Sequence, residues 1–194
     1  EAQRSVLIVI DLQNKLVPAI DKGDEVVANA GKLLDGAGRL GVPVIVSEQY
    51  PKGLGLTVGA IAAKLPNDSK TVSKLTFSAA RSEDFNRNLS ALRARGRDQM
   101  VVCGTETHIC VLQTVADLLA EELPVYLVTD ASGARAEDRA DGDDGDGGRD
   151  VAERPDHGAE NSQRSDGRAA GIRTGQGQRP GATGACFHRA TLGQ

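Results

Sequence analysis

The sequence predicts an α/β domain built on a doubly wound, Rossmann-like and mostly parallel sheet with helices on both faces. Two observations carry this expectation. From Ser5 to Asp130, short apolar runs alternate with longer amphipathic segments through brief connections, the rhythm that parallel strands joined by crossover helices impose. The first run, Ser5 to Ile10 (S-V-L-I-V-I), is continuous and β-branched rather than alternating, as befits a strand covered on both faces.

That first strand ends on Asp11. Open α/β sheets place their ligands at the carboxyl ends of central strands, so Asp11 is a site candidate; the alternative is a turn or N-cap aspartate ahead of Leu12-Gln13-Asn14. Asp24 to Leu40 supplies the first helix, with Asp24 as cap, an apolar stripe of Val26, Val27, Ala30, Leu33, Leu34 and Ala37, and Gly41 as stop. Val42 to Ser47 is the second strand. The loop that follows carries glycines at Gly53, Gly55 and Gly59. A dinucleotide fingerprint belongs in the first βα turn, where this chain has Asp11-Leu12-Gln13, so these glycines read as turn formers.

Lys70 to Leu75 alternates as a short strand and carries Lys74 near its end, either as a site residue or as one more solvated surface charge. Ser82 to Arg95 forms a helix capped by Ser82, with Phe85, Leu89 and Leu92 inward and Gly96 as its stop. Met100 to Cys103 is a further strand, broken by Gly104 and the turn Thr105-Glu106-Thr107 before a helix whose stripe is Val111, Val115, Leu118 and Leu119. Cys110 falls in the first turn of that helix, where unpaired backbone N–H groups and the helix dipole favour a thiolate. It is a candidate nucleophile, or else a small buried hydrophobe. Leu123 to Val128 is the next strand, ending in Thr129-Asp130.

Composition narrows the function classes. A 194-residue chain with 39% hydrophobic residues and a net charge of -4 can bury a good core and has no electrostatic footprint for nucleic acid. No apolar run approaches the ~20 residues of a membrane span. Cys103, Cys110 and Cys186 make an odd set without disulfide or zinc spacing, so a reducing compartment, by default the cytoplasm, is expected. The chain starts at Glu1 without a signal-like segment.

Asp11, Lys74 and Cys110 all fall at or just past the carboxyl ends of strands. A thiol needs a proton acceptor, a lysine ammonium holds the carboxylate, and a helix start offers N–H groups to an oxyanion. The segments V-I-D-L-Q (Val9 to Gln13), S-K-L-T-F-S-A (Ser73 to Ala79) and G-T-E-T-H-I-C-V (Gly104 to Val111) together resemble the isochorismatase-like cysteine hydrolases, over Val6 to about Arg135. The resemblance implies a hydrolase acting on C–N bonds other than peptide bonds: a small amide, ureide or related carbonyl compound. It makes Asp11 the base, Lys74 its electrostatic partner and Cys110 the nucleophile. It also implies a cis peptide between Thr105 and Glu106, and an oxyanion hole from the backbone N–H groups of Glu106 and Cys110. Gln13, Gln49, Tyr50, Phe77 and His108 are expected around the substrate, and a homo-oligomer is expected.

Relatives of the nicotinamidase type bind a metal through an aspartate and histidines after the second strand, but Glu48 to Gly59 holds no histidine. No metal and no other cofactor is therefore expected. The E-Q-Y-P-K-G-L-G loop at Glu48 to Gly55 is most like that of the isochorismatase-domain-containing branch. His108 as the base would displace the Asp-Lys scheme. A catalytically silent member that binds a small ligand or a partner protein in the same pocket is the alternative function.

The hydrolase core is expected over 1–135. Residues 136–194 are atypical: glycine, aspartate and arginine crowd the segment and large apolar residues nearly vanish, a composition that reads as disordered, with no amphipathic strand or helix. The Asp141–Gly148 run fails the calcium-loop pattern, because Gly145 stands at the fifth ligand position. Aspartate codons are GAY and glycine codons GGN, so the run ending at Gly147, advanced by one nucleotide, can read as Met-Ala-Met-Thr-Ala-Met/Thr-Ala. Helix formers then replace helix breakers, and the tail reads as an out-of-frame version of the domain's own ending.

Overall fold

The computed structural model describes residues 1–135, 172–174 and 187–192. Its sheet contains β1 (Ser5–Ile10), β2 (Val44–Gln49), β3 (Lys70–Lys74), β4 (Gln99–Thr105), β5 (Val125–Gly133), β6 (Ile172–Thr174) and β7 (Phe187–Leu192), in the order β3-β2-β1-β4-β5-β7-β6. The first five strands pair in parallel, while β7 is antiparallel to both β5 and β6.

Burial on both faces explains why β1 lacks a period of two. Val6, Ile8 and Ile10 enter one core with Phe85, Leu89, Val115 and Leu118, whereas Leu7 and Val9 enter the other with Val26, Ala30, Leu34 and Ala37. The helices that cover these faces are α1 (Gly23–Leu40) on one side and, on the other, α4 (Glu83–Arg93) and α5 (Leu112–Ala120). Each such aliphatic side chain contributes about 1.5–3 kcal/mol when buried, so β1 is the strand the two cores share.

The chain leaves β1 toward β2 and β3 on one side and re-enters at β4, to continue to β5, on the other. The carboxyl ends of β1 and β4 therefore flank the switch point where α/β sheets bind ligands. Gly104 sits there at φ 123°, and a Cβ on it would lie 2.0 Å from the Ile10 carbonyl oxygen. Only glycine lets β4 approach β1 so closely.

Several element bounds differ from expectation. Lys22, in a left-handed conformation, is the N-cap of α1, so Asp24 lies within the first turn and favours the helix through its dipole. Strand β2 begins at Val44 and runs through Gln49, since Pro43, lacking an N–H, lies outside the strand while its carbonyl accepts from Leu7. Ser82 caps α4 without a side-chain hydrogen bond. Strand β5 runs past Asp130 to Gly133, re-pairing with β4 after a register shift.

The glycine-bearing loop folds into two short helices, α2 (Pro51–Leu54) and α3 (Gly59–Ala62). The tail also differs from expectation, since Ile172–Thr174 and Phe187–Leu192 are strands, and Ala190 is buried in the α4–α5 core. Backbone pairing, of β7 with the edge of β5 and of β6 with β7, rather than apolar alternation, defines them. The Asp141–Gly148 run lies outside the described residues, as do Cys186 and the segment that carries the out-of-frame reading.

Candidate active site

At the end of β1 the backbone turns sharply at Asp11, with φ 48°. This left-handed conformation costs an ordinary residue roughly 1–2 kcal/mol. It is held by hydrogen bonds from the Asp11 N–H to the Ser47 carbonyl (3.1 Å) and from Thr105 Oγ1 to the Asp11 carbonyl (2.8 Å). The turn carries the Asp11 carboxylate into the gap above β2 and β4. Lys74, the last residue of β3, reaches the same gap and donates from Nζ to Asp11 Oδ2 at 2.7 Å, both side chains being fully buried. The ammonium also donates to Gln49 Oε1 and to the carbonyls of Thr76 and Phe77.

Cys110 lies in a π-helical turn, Thr107–Val111, that leads into α5. The peptide between Thr105 and Glu106, just before it, is cis. Thr114 ties this turn down, donating to the Cys110 carbonyl at 2.6 Å and accepting from the Ala79 N–H at 2.9 Å. The Asp11 side chain and the Glu106 backbone amide both lie close enough to the Cys110 thiol to bear on its ionisation. Asp11, Lys74 and Cys110, predicted from three separate segments, thus meet in one cluster.

The thiol differs from expectation in one respect. Burial, followed by the nearby Asp11 charge, pushes Cys110 up to about 12, against smaller opposing effects of Lys74 and the Glu106 amide. Position at the helix start does not offset removal from water, which favours the thiol over the thiolate.

The residues expected around the substrate divide into two sets. Gln13 is fully buried, and its side-chain amide is spent on the backbone of the 49–55 loop. It accepts from the Gln49 N–H at 2.8 Å and donates to the carbonyls of Gln49 (3.0 Å) and Gly55 (2.6 Å). Gln49 holds Lys74 through its oxygen and the Leu75 carbonyl through its nitrogen. Both glutamines shape the rim. Tyr50, Phe77 and His108 are exposed on it, Tyr50 with its ring against Gly53, where a Cβ would lie 2.1 Å away.

Glu48 is buried and accepts from the N–H and hydroxyl of Thr57, both at 2.7 Å, and so pins the far end of the same loop. Sequence reasoning passed over Ser47, which donates to Asp11 Oδ1 at 2.7 Å. A hydroxyl closing an otherwise apolar strand, beside a strand that ends in aspartate, was its signal. Arg135 was likewise passed over; it pairs with the buried Glu106 carboxylate at 3.1 Å. Among the described residues no cluster of histidine, cysteine, aspartate and glutamate is arranged to hold a metal ion, and no helix is long and apolar enough to cross a membrane.

The isochorismatase domain model matches residues 5–142. The chain belongs to the isochorismatase family. Isochorismatase domain-containing protein 2 of Danio rerio is 37% identical over 136 residues, which is 69% of this chain and 64% of the relative. Domain-containing protein 1 of the same fish is 37% identical over 134 residues, 68% of this chain and 45% of the relative. The matched region thus spans about half to two thirds of these relatives.

Among solved structures, the MAR1 ribonuclease of Caenorhabditis elegans superposes with a TM-score of 0.65 at 35% identity, covering 71% of this chain and 69% of that one. An isochorismatase from Pseudomonas putida gives 0.61 at 26% identity, covering 68% and 72%. An octameric hydrolase of unknown specificity from Escherichia coli gives 0.62 at 25% identity, covering 69% and 66%. Isochorismatase family members are generally hydrolases, and the mostly parallel sheet with helices on both faces is the fold of that family.

Proposed function

We propose that the protein is a metal-independent cysteine hydrolase that cleaves a small amide, ureide or related carbonyl compound. One observation carries this reading. Asp11 and Lys74 form a fully buried ion pair whose carboxylate also faces the Cys110 thiol. Buried pairs are weak stabilisers, since desolvation offsets their attraction, and such a pair beside a potential nucleophile marks a site.

In this mechanism the Cys110 sulfur attacks the substrate carbonyl carbon as its proton passes to Asp11. Lys74 stays an ammonium and holds the carboxylate in place. The oxyanion accepts hydrogen bonds from the backbone N–H groups of Glu106 and Cys110, each donor being worth about 2.7–4 kcal/mol of barrier by general precedent. Asp11 returns the proton to the departing nitrogen, leaving a thioester. Water, deprotonated by Asp11, then hydrolyses the thioester and restores the thiol.

The rim suits a small, largely uncharged substrate, because Tyr50, Leu56, Leu75 and Phe77 expose large apolar side chains on the loops after β2 and β3. The same surface suits coverage by a second copy of the chain, in keeping with the octameric neighbour; size-exclusion chromatography with light scattering reads this out, a monomer being the contrary result. A neighbour described as a ribonuclease raises RNA as a substrate. A net charge of -4 and a lysine already spent on four acceptors favour a carbonyl compound over a phosphodiester.

The alternative, a silent member that binds a ligand or partner protein in the same pocket, draws on the raised thiol of Cys110. A panel of small amides and ureides, with an RNA oligomer beside them, tests these readings. Turnover of a panel amide that Cys110→Ala abolishes is expected. Amide turnover unaffected by that substitution, or none alongside tight ligand binding, rejects the hydrolase reading.

A further inference from the structure

We infer that Ser47 is the positioning residue that fixes which way the Asp11 carboxylate presents itself to Cys110. The inference rests on Asp11 serving as the base in the function proposed above. Three groups face the carboxylate: Lys74 from β3, Ser47 from β2 and Cys110 from the turn after β4. Lys74 donates to Oδ2 and Ser47 Oγ to Oδ1, both at 2.7 Å. With a donor on each oxygen, the carboxylate cannot rotate about its Cβ–Cγ bond without breaking both contacts. With Lys74 alone, a single-point ammonium leaves that rotation free.

Ser47 is built for this task twice over. In the parallel register it lies opposite Ile10, one residue before Asp11, and its carbonyl accepts the Asp11 N–H at 3.1 Å. One residue thus holds both the strained backbone of Asp11 and one of its carboxylate oxygens. The fold alone does not call for a hydroxyl here. Ser47 is fully buried and follows the apolar Val44-Ile45-Val46, and taking a hydroxyl from water has a cost that an alanine would avoid. Asp11 is what the hydroxyl serves.

The test is alkylation of Cys110 by iodoacetamide across about pH 4 to 9, resolved by peptide mass mapping, in the wild type, Ser47→Ala, Ser47→Thr and Asp11→Asn. Ser47→Ala should alkylate about ten-fold more slowly than the wild type across the range, as the carboxylate loses its orientation toward the thiol. Ser47→Thr keeps the hydroxyl at a strand position and should restore the rate.

Thermal unfolding midpoints show whether a loss of fold is responsible. A Ser47→Ala profile that coincides with the wild type overturns the inference, as does a folded Ser47→Thr that behaves like alanine. Alkylation that Asp11→Asn leaves at the wild-type rate overturns both this inference and Asp11's part as base. A rate that Asp11→Asn lowers but Ser47→Ala leaves in place overturns the role of Ser47 alone.

Discussion

Cys103 and Cys110 occupy opposite cores of the same sheet, and burial pushes both thiols up to about 12. Their surroundings differ in what accompanies burial. Cys103 is fully enclosed, with only a further rise from the charge of Asp130. Cys110 has a carboxylate to receive its proton, and Lys74 and the Glu106 amide to draw it back toward ionisation. A raised thiol is therefore compatible with chemistry here, provided the proton has a fixed acceptor. The largest expected effect divides the two: Cys110→Ala should lower turnover at least about a thousand-fold, whereas Cys103→Ala should leave it within about two-fold. Steady-state rates on any substrate from the amide panel check this, and equal losses in the two variants would remove the distinction.

Lys74 sharpens the comparison from the other side. In Lys74→Met the Asp11 carboxylate stays buried without its cation, which generally costs about 3–5 kcal/mol of stability. Urea unfolding should show that loss, and turnover should vanish with it. Adding Asp11→Asn removes the stranded charge, so the double variant should regain most of the stability while remaining inactive. A double variant no more stable than Lys74→Met would mean that the lysine is held by its contacts to Gln49, Thr76 and Phe77 rather than by Asp11.

Where the sequence was legible, one physical demand dominated each residue. Ser5–Ile10 matches β1 residue for residue because burial on both faces leaves apolar choices from Val6 to Ile10, and Asp11 was visible as the polar end of an apolar strand and Lys74 as the last residue of an alternating one. Where two demands compete, the reading slipped. The ladder of β2 extends through Ser47, Glu48 and Gln49, whose polar side chains are spent on Asp11, Thr57 and Lys74, so the strand looks finished before it is. Helix position suggested an ionised Cys110, while burial, which the turn alone does not reveal, reversed the direction. Strand β7 was illegible because its partner is the edge of β5. For the rest of the tail, the family match ends at residue 142, within the Asp-Gly run. An out-of-frame ending is our proposal for it, and an intact mass equal to that of the 194-residue sequence would sink it.

The smallest effect concerns stability at high pH. A thiol whose folded value lies near 12 holds its proton more tightly in the native state than in the unfolded chain, where about 8.5 is ordinary. Below about pH 8.5 both states are protonated and the contribution is fully present. Between there and about 12 the unfolded chain gives up the proton that the native state keeps, so stability falls by roughly 1.4 kcal/mol per pH unit for the fully buried Cys103. Cys103→Ala removes that slope at the expense of a small void, which costs stability at every pH. The variant should therefore be less stable than the wild type near pH 7 and draw level as the pH approaches about 10. Urea midpoints across this range measure the difference, and parallel curves for the two proteins would show that Cys103 ionises without resistance from the core around it.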